Sequence, residues 1–135
     1  MMYIDKKLAA AREQLIFGQP YDAQSYEFGD CKRFERLSLN RAKVLVSLGL
    51  LDLDGRQNDS PEVRDMLDFV ENHGDGWYLH GYVTSPTRED CRVTLEGVGY
   101  SGGPLSIDDL FDFLKAFSDA DKFEVEKTLA WCWYD

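Results

Sequence analysis

Histidine is the side chain whose ordinary pKa lies nearest neutrality, and this 135-residue chain has two, His73 and His80. His80 stands in a stretch where Trp77, Leu79 and Val83 alternate with Tyr78, His80 and Tyr82. A little further on, Cys91, Val93 and Leu95 alternate with Arg92, Thr94 and Glu96. Two period-two runs joined by a short loop containing proline (Ser85 to Asp90) predict a β-hairpin. A loop centred near residue 88 sets His80 opposite Glu96, and a slip of one ladder step sets it opposite Thr94. A His80–Glu96 pair would be an acid/base couple. Without catalysis, the face carrying Tyr78, His80, Tyr82, Arg92 and Glu96 is either an ordinary half-wet sheet face or a partner surface, since tyrosine and arginine are enriched at interfaces.

The chain also contains a literal G-x-G-x-x-G: Gly97, Gly99 and Gly102 in EGVGYSGG. A dinucleotide loop needs those glycines where a parallel strand turns straight into a helix, so that the helix N-terminus meets the phosphates. Here Gly103, Pro104 and Leu105 intervene before the helix cap at Ser106, and the preceding strand is the second arm of a hairpin. Neither a following G-K-[ST] nor a lysine strand is present. Gly97 and Gly99 are expected at a strand end or bulge, and Gly102–Gly103–Pro104 in the turn into the helix.

Other chemistry is thin. Two histidines with no H-x-x-x-H and no calcium-loop pattern give no metal site, and no cofactor is implied. Cys31, Cys91 and Cys132 are far apart and odd in number, so free, buried thiols in a reducing compartment are expected rather than a zinc or redox motif. A basic cluster does stand out. Lys32, Arg33, Arg36, Arg41 and Lys43 are opposed locally only by Glu35. It reads as a loop and helix face that either salt-bridges its own acidic neighbours or recruits a partner, including a second copy of the chain.

The elements that must position these residues follow from periodicity. Ile4, Leu8, Ala11, Leu15 and Ile16 predict a first helix over about 4–17. Residues 19–30 read as loop. Ser38 caps a second helix carrying Leu39, Ala42, Leu45, Val46 and Leu48. Ser60 as cap and Pro61 at the first position predict a third, with Val63, Met66, Leu67 and Val70 on one face. Ser106 and Asp109 open a fourth, whose buried face is Ile107, Leu110, Phe111, Leu114 and Phe117. KFEVE and LAWCWYD predict a second hairpin turning near Lys127–Thr128, with Leu129, Trp131 and Trp133 assigned to the core. The expectation is an α+β fold in one domain over residues 1–135. N-terminal helices precede β-β-α-β-β, with helices on one face of a mainly antiparallel, four-stranded sheet.

SPTREDCRVTLEGVGYSGGPLSIDD (residues 85–109) resembles a segment of the plasmid and phage antirestriction proteins that act against type I restriction enzymes. The likeness rests on Pro86, Arg88 and Glu89, on Gly97, Gly99 and Tyr100 after a strand, and on Leu105, Ser106 and Asp108 at a helix start. It implies a role in host defence or counter-defence. The family's glycine-rich aromatic stretch before this segment is missing here, and the C-terminal hairpin does not match, so the family is not assigned.

Charge bounds the partners. With 25 acidic and 15 basic residues the net charge is −10, which repels nucleic acid and anionic membranes. Glu96, Glu124 and Glu126 would lie on or near the aromatic sheet face, which sets it apart from RNA-binding sheets. The first residues, whose apolar run is broken by Arg12 and Glu13, read as an amphipathic helix and not as a secretory leader, so a cytoplasmic location is expected. Three functions stay open. One is a non-catalytic domain that binds a protein partner. A second is a small inhibitor or immunity protein acting on a nucleic-acid enzyme by acidic mimicry. The third is a small enzyme using His80 with Glu96.

Overall fold

A computed structural model describes residues 6–28, 30–88 and 92–135. Its elements are α1 (Lys6–Phe17), β1 (Cys31–Leu37), α2 (Leu39–Ser47), α3 (Val63–His73), β2 (Trp77–Thr84), β3 (Val93–Ser101), α4 (Ile107–Phe117), β4 (Lys122–Glu126) and β5 (Leu129–Trp133). The class is α+β, and both predicted hairpins belong to one antiparallel sheet in the order β1-β2-β3-β5-β4.

Among the described residues the sheet has five strands, not the expected four. Residues 31–37, assigned above to a loop and helix face, form β1 and pair with β2. Only Phe34 and Leu37 are buried along it, three residues apart, and a bulge between them offsets the register. An apolar spacing of three reads as helical or irregular, so the bulge hides the strand from a periodicity argument.

Two boundaries also move. Ser38 and Ser106 cap their helices as expected, accepting from the backbone N–H groups of Arg41 (3.3 Å) and Asp109 (3.1 Å). Ser60 does not cap α3. Its hydroxyl is buried and accepts from the Gln57 N–H at 2.8 Å inside the preceding turn, and Glu62 stands at the cap. β3 runs through its glycines to Ser101 rather than ending at them.

The core lies on the face of Trp77, Leu79, Val83, Leu95 and Val98, continued by Phe34 and Leu37 on β1 and Ala130 and Cys132 on β5. Phe69 of α3 and Phe113 of α4 both meet the Trp77 ring, with centroids 5.0 and 5.7 Å away, and Phe117 packs on Phe69 at 5.0 Å. Burying four such rings together, each worth several kcal/mol on truncation, anchors both helices to the sheet (about 3–5 kcal/mol per ring). Among the described residues no helix is long and apolar enough to cross a membrane.

Candidate functional site on the open sheet face

The opposite face of the same strands carries the chemistry. Register places Arg33 beside Tyr82 and Tyr82 beside Thr94. The expected His80–Glu96 pairing is absent, because His80 stands opposite Gly97 and Glu96 is the extra residue of a bulge in β3. A bulge pushes one residue out of step and re-aims it. Glu96 is therefore out of register with the histidine and takes other partners. Its Oε1 accepts from Arg33 Nη1 at 2.5 Å and its Oε2 from Trp133 Nε1 at 3.0 Å.

His80 is 5% exposed. Its Nε2 donates to the Cys132 carbonyl oxygen at 2.6 Å, so the ring spans β3 from β2 to β5. It stacks on Trp131, centroids 5.2 Å apart and planes 18° from parallel. Burial lowers its pKa below the ordinary histidine value, against the pull of the Cys132 hydrogen bond. Burial likewise raises the Glu96 pKa, and Arg33 and the Trp133 N–H oppose that rise.

The glycine motif serves this arrangement. A Cβ on Gly97 would run into the Cys132 carbonyl oxygen and lie 2.7 Å from His80 Nε2. A Cβ on Gly99 would lie 2.5 Å from the Tyr78 ring. Two missing side chains let two rings lie flat across β3.

The predicted basic cluster divides. Arg33 and Arg36 join the open face, and the Arg36 guanidinium lies 5.0 Å above the Tyr78 ring centroid. Lys32 instead sits 4.1 Å over the Phe17 ring and donates to Ser25 Oγ at 3.0 Å. Arg41 donates to the Leu15 carbonyl oxygen at 3.0 Å, satisfying the C-terminal end of α1. Lys43 pairs with Glu71 of α3 at 2.8 Å. At the other end of the face, Arg92 Nη2 donates to the Tyr82 hydroxyl at 3.2 Å and Nε to Thr94 Oγ1 at 3.3 Å.

Two cavities open here and share Arg33. One of about 390 Å³ is lined by Arg33–Arg36 of β1 with Tyr78, His80 and Trp131. The other, about 340 Å³, takes in Tyr82, Arg88, Arg92 and Glu96.

Sequence reasoning missed Trp131 and Trp133 as members of this face. They are half-buried on it, and the fully buried residues of β5 are Ala130 and Cys132. The signal was present: alternation assigns small Ala130 and Cys132 to the opposite side, which fits the side already filled by aromatic helix residues. Cys132 is buried and its thiol pKa is pushed up to about 12, chiefly by desolvation. Cys31 is only half-buried, short of the expected burial, and Cys91 lies outside the described residues. Among the described residues no cluster of three His, Cys, Asp or Glu could hold a metal. No family model, curated protein or solved structure matches this chain.

Proposed function

We propose that this is a non-catalytic, cytoplasmic interaction domain that docks a protein partner on its open sheet face. The observation that carries the reading is β1, whose pairing with β2 gathers Arg33 and Arg36 beside Tyr78, Tyr82 and Arg92. Arginine and tyrosine offer large contact area together with directed hydrogen bonds, which is the composition of energetic centres in interfaces. Catalysis by His80 with Glu96 has less support. The histidine N–H is spent on the Cys132 carbonyl, and both Glu96 oxygens are spent on Arg33 and Trp133.

A second reading, inhibition of a nucleic-acid enzyme by acidic mimicry, draws on α4. Asp108, Asp109 and Asp112 stand there beside Ile107 and Phe111, which are 85% and 64% exposed.

Affinity capture from nuclease-treated lysate separates the two, using the wild type and an Arg36→Glu/Tyr78→Ala variant at low and moderate salt. A protein held by the wild type at both salts and lost by the variant is the expected result. A basic protein held equally by both forms and shed at moderate salt transfers the function to the acidic helix.

A further inference from the structure

Both neighbours of β2 bulge at the same residue. β1 sets Glu35 and Arg36 together against the single step between Gly81 and Leu79, where His80 stands. β3 inserts Glu96 between the pairs His80–Gly97 and Gly81–Leu95. Bulges concentrate next to binding and catalytic sites because they re-aim side chains and break the flatness of a sheet. Here they leave the cavity of about 390 Å³ above His80, within the range of small-molecule sites (roughly 300–1,000 Å³).

The groups around that cavity carry unspent valences of both signs. Arg33 is matched by Glu96. Glu35 and Arg36 are exposed, line the cavity, and have no ion pair among the described residues. With its Nε2–H given to the Cys132 carbonyl, the neutral His80 ring keeps Nδ1 as an acceptor. Trp131 stacked on His80, and Tyr78 under Arg36, supply aromatic surface. A ligand that is only an anion would face Glu35 as well as Arg36, and one that is only a cation would face Arg36 as well as Glu35. A ligand with an ammonium and a carboxylate a few bonds apart satisfies both at once.

We propose that this cavity binds a free α-amino acid, with its carboxylate on the Arg36 guanidinium, its ammonium on Glu35 and His80 Nδ1, and its side chain against Trp131 and Tyr78. The guanidinium fork suits a carboxylate, and three ammonium hydrogens suit two acceptors on one side. This goes beyond the docking reading and does not depend on it. A bound amino acid occupies part of the docking face and so competes with a partner there.

The test titrates each of the twenty common L-amino acids into the isolated protein while following the His80 ring and Trp131 indole nitrogen resonances. At least one shifts both and saturates with a Kd on the order of 1 mM or tighter. Its analogues lacking either the amine or the carboxylate bind at least ~10-fold more weakly, as loss of a charge-assisted hydrogen bond requires. Glu35→Gln and Arg36→Gln each weaken it by a similar factor while leaving the melting temperature in place, both side chains being exposed. The proposal is overturned if no amino acid shifts the two resonances by ~20 mM, if the carboxylate-only analogue binds as well as the amino acid, or if both variants bind like the wild type. Partner capture is a separate measurement, so failure of either reading leaves the other standing.

Discussion

Among the described residues two glutamates are almost fully buried, Glu13 at 1% exposure and Glu96 at 2%, and their surroundings are opposites. Glu13 lies on α1 within a sealed cluster. Its Oε1 accepts from the Tyr26 hydroxyl, and Oε2 lies 4.0 Å from the Arg12 guanidinium. Arg12, itself 1% exposed, donates to the Thr84 carbonyl oxygen at 2.8 Å and ties the helix to the end of β2. Burial first, and then the Glu13 carboxylate, push the Tyr26 hydroxyl pKa far above its ordinary value. Glu96, by contrast, is held by an arginine whose side chain is 61% exposed. A charge whose every partner is buried can only brace the fold, because no other molecule reaches it. A charge whose partner stands in solvent belongs to a surface that another molecule can rearrange. The first cluster is closed to solvent on both sides of its ion pair, and the second is open to it through Arg33.

The largest test of that contrast removes the arginine from each. Arg12→Ala strands Glu13 in the interior and should cost about 3–5 kcal/mol in denaturant unfolding. Arg33→Gln leaves Glu96 its Trp133 bond and admits water, and should cost about 1 kcal/mol. The second loss depends on pH. A carboxyl whose folded pKa is raised contributes stability below its ordinary range and loses it as pH climbs through the folded value. Arg33 is the chief influence opposing the rise in Glu96. Its removal lifts that pKa further, so the variant's deficit should be larger at pH 7 than at pH 4. Equal costs for the two arginine variants would erase the distinction between brace and surface.

The next contrast lies within one glycine-rich stretch, residues 97–103. Gly97→Ala drives a methyl group into the Cys132 carbonyl and the His80 ring, and should cost about 1–3 kcal/mol. Gly103→Ala meets no atom within 4 Å and should stay within ~0.5 kcal/mol. It should also leave the His80 ring resonances in place, whereas Gly97→Ala should move them. If both substitutions behave alike, the His80 ring does not depend on the space above Gly97.

What could be read from the sequence follows the same division. Helix α3 declares itself because burial on one side imposes period 3.6, with Val63, Met66, Leu67 and Val70 all buried, and the core face of β2 follows in the same way from Trp77, Leu79 and Val83. Helix α4 forms where expected but turns a different face inward, Phe113 and Phe117 being buried while Ile107 and Phe111, assigned above to its core side, are 85% and 64% exposed. The open face was legible only as a set of residue types. Its geometry depends on two bulges, and a bulge is a count of residues against a partner strand that no single strand contains. For that reason periodicity alone does not show β1, presents the basic segment as contiguous, and sets His80 opposite Glu96 or Thr94 rather than Gly97. Leu129 on the same face assigns Trp131 and Trp133 to the core, but the fully buried side of β5 is that of Ala130 and Cys132.

The smallest expected effect tests whether the open face is dry at its floor. His80 has its pKa lowered mainly by burial, so the folded state resists the proton that the unfolded state accepts. Its contribution to stability is present above the ordinary histidine pKa and is lost as pH falls through the folded value. Exchanging His80 for glutamine removes that dependence while retaining an N–H that can reach the Cys132 carbonyl. The stability gap between wild type and His80→Gln should then narrow between pH 7 and pH 5, by at most about 2 kcal/mol, the full cost of keeping an imidazole neutral over that range. Taking the difference between two otherwise identical chains cancels the titration of every other group they share. A gap that stays constant with pH means that the imidazole protonates as easily folded as unfolded. Water would then reach beneath Trp131, and Nδ1 would be a charged donor at mildly acid pH rather than an acceptor. A gap that narrows as expected leaves a neutral ring on a dry floor. In that state Nδ1 keeps its lone pair, while the exposed Glu35 and Arg36 set the charge at the rim of the cavity.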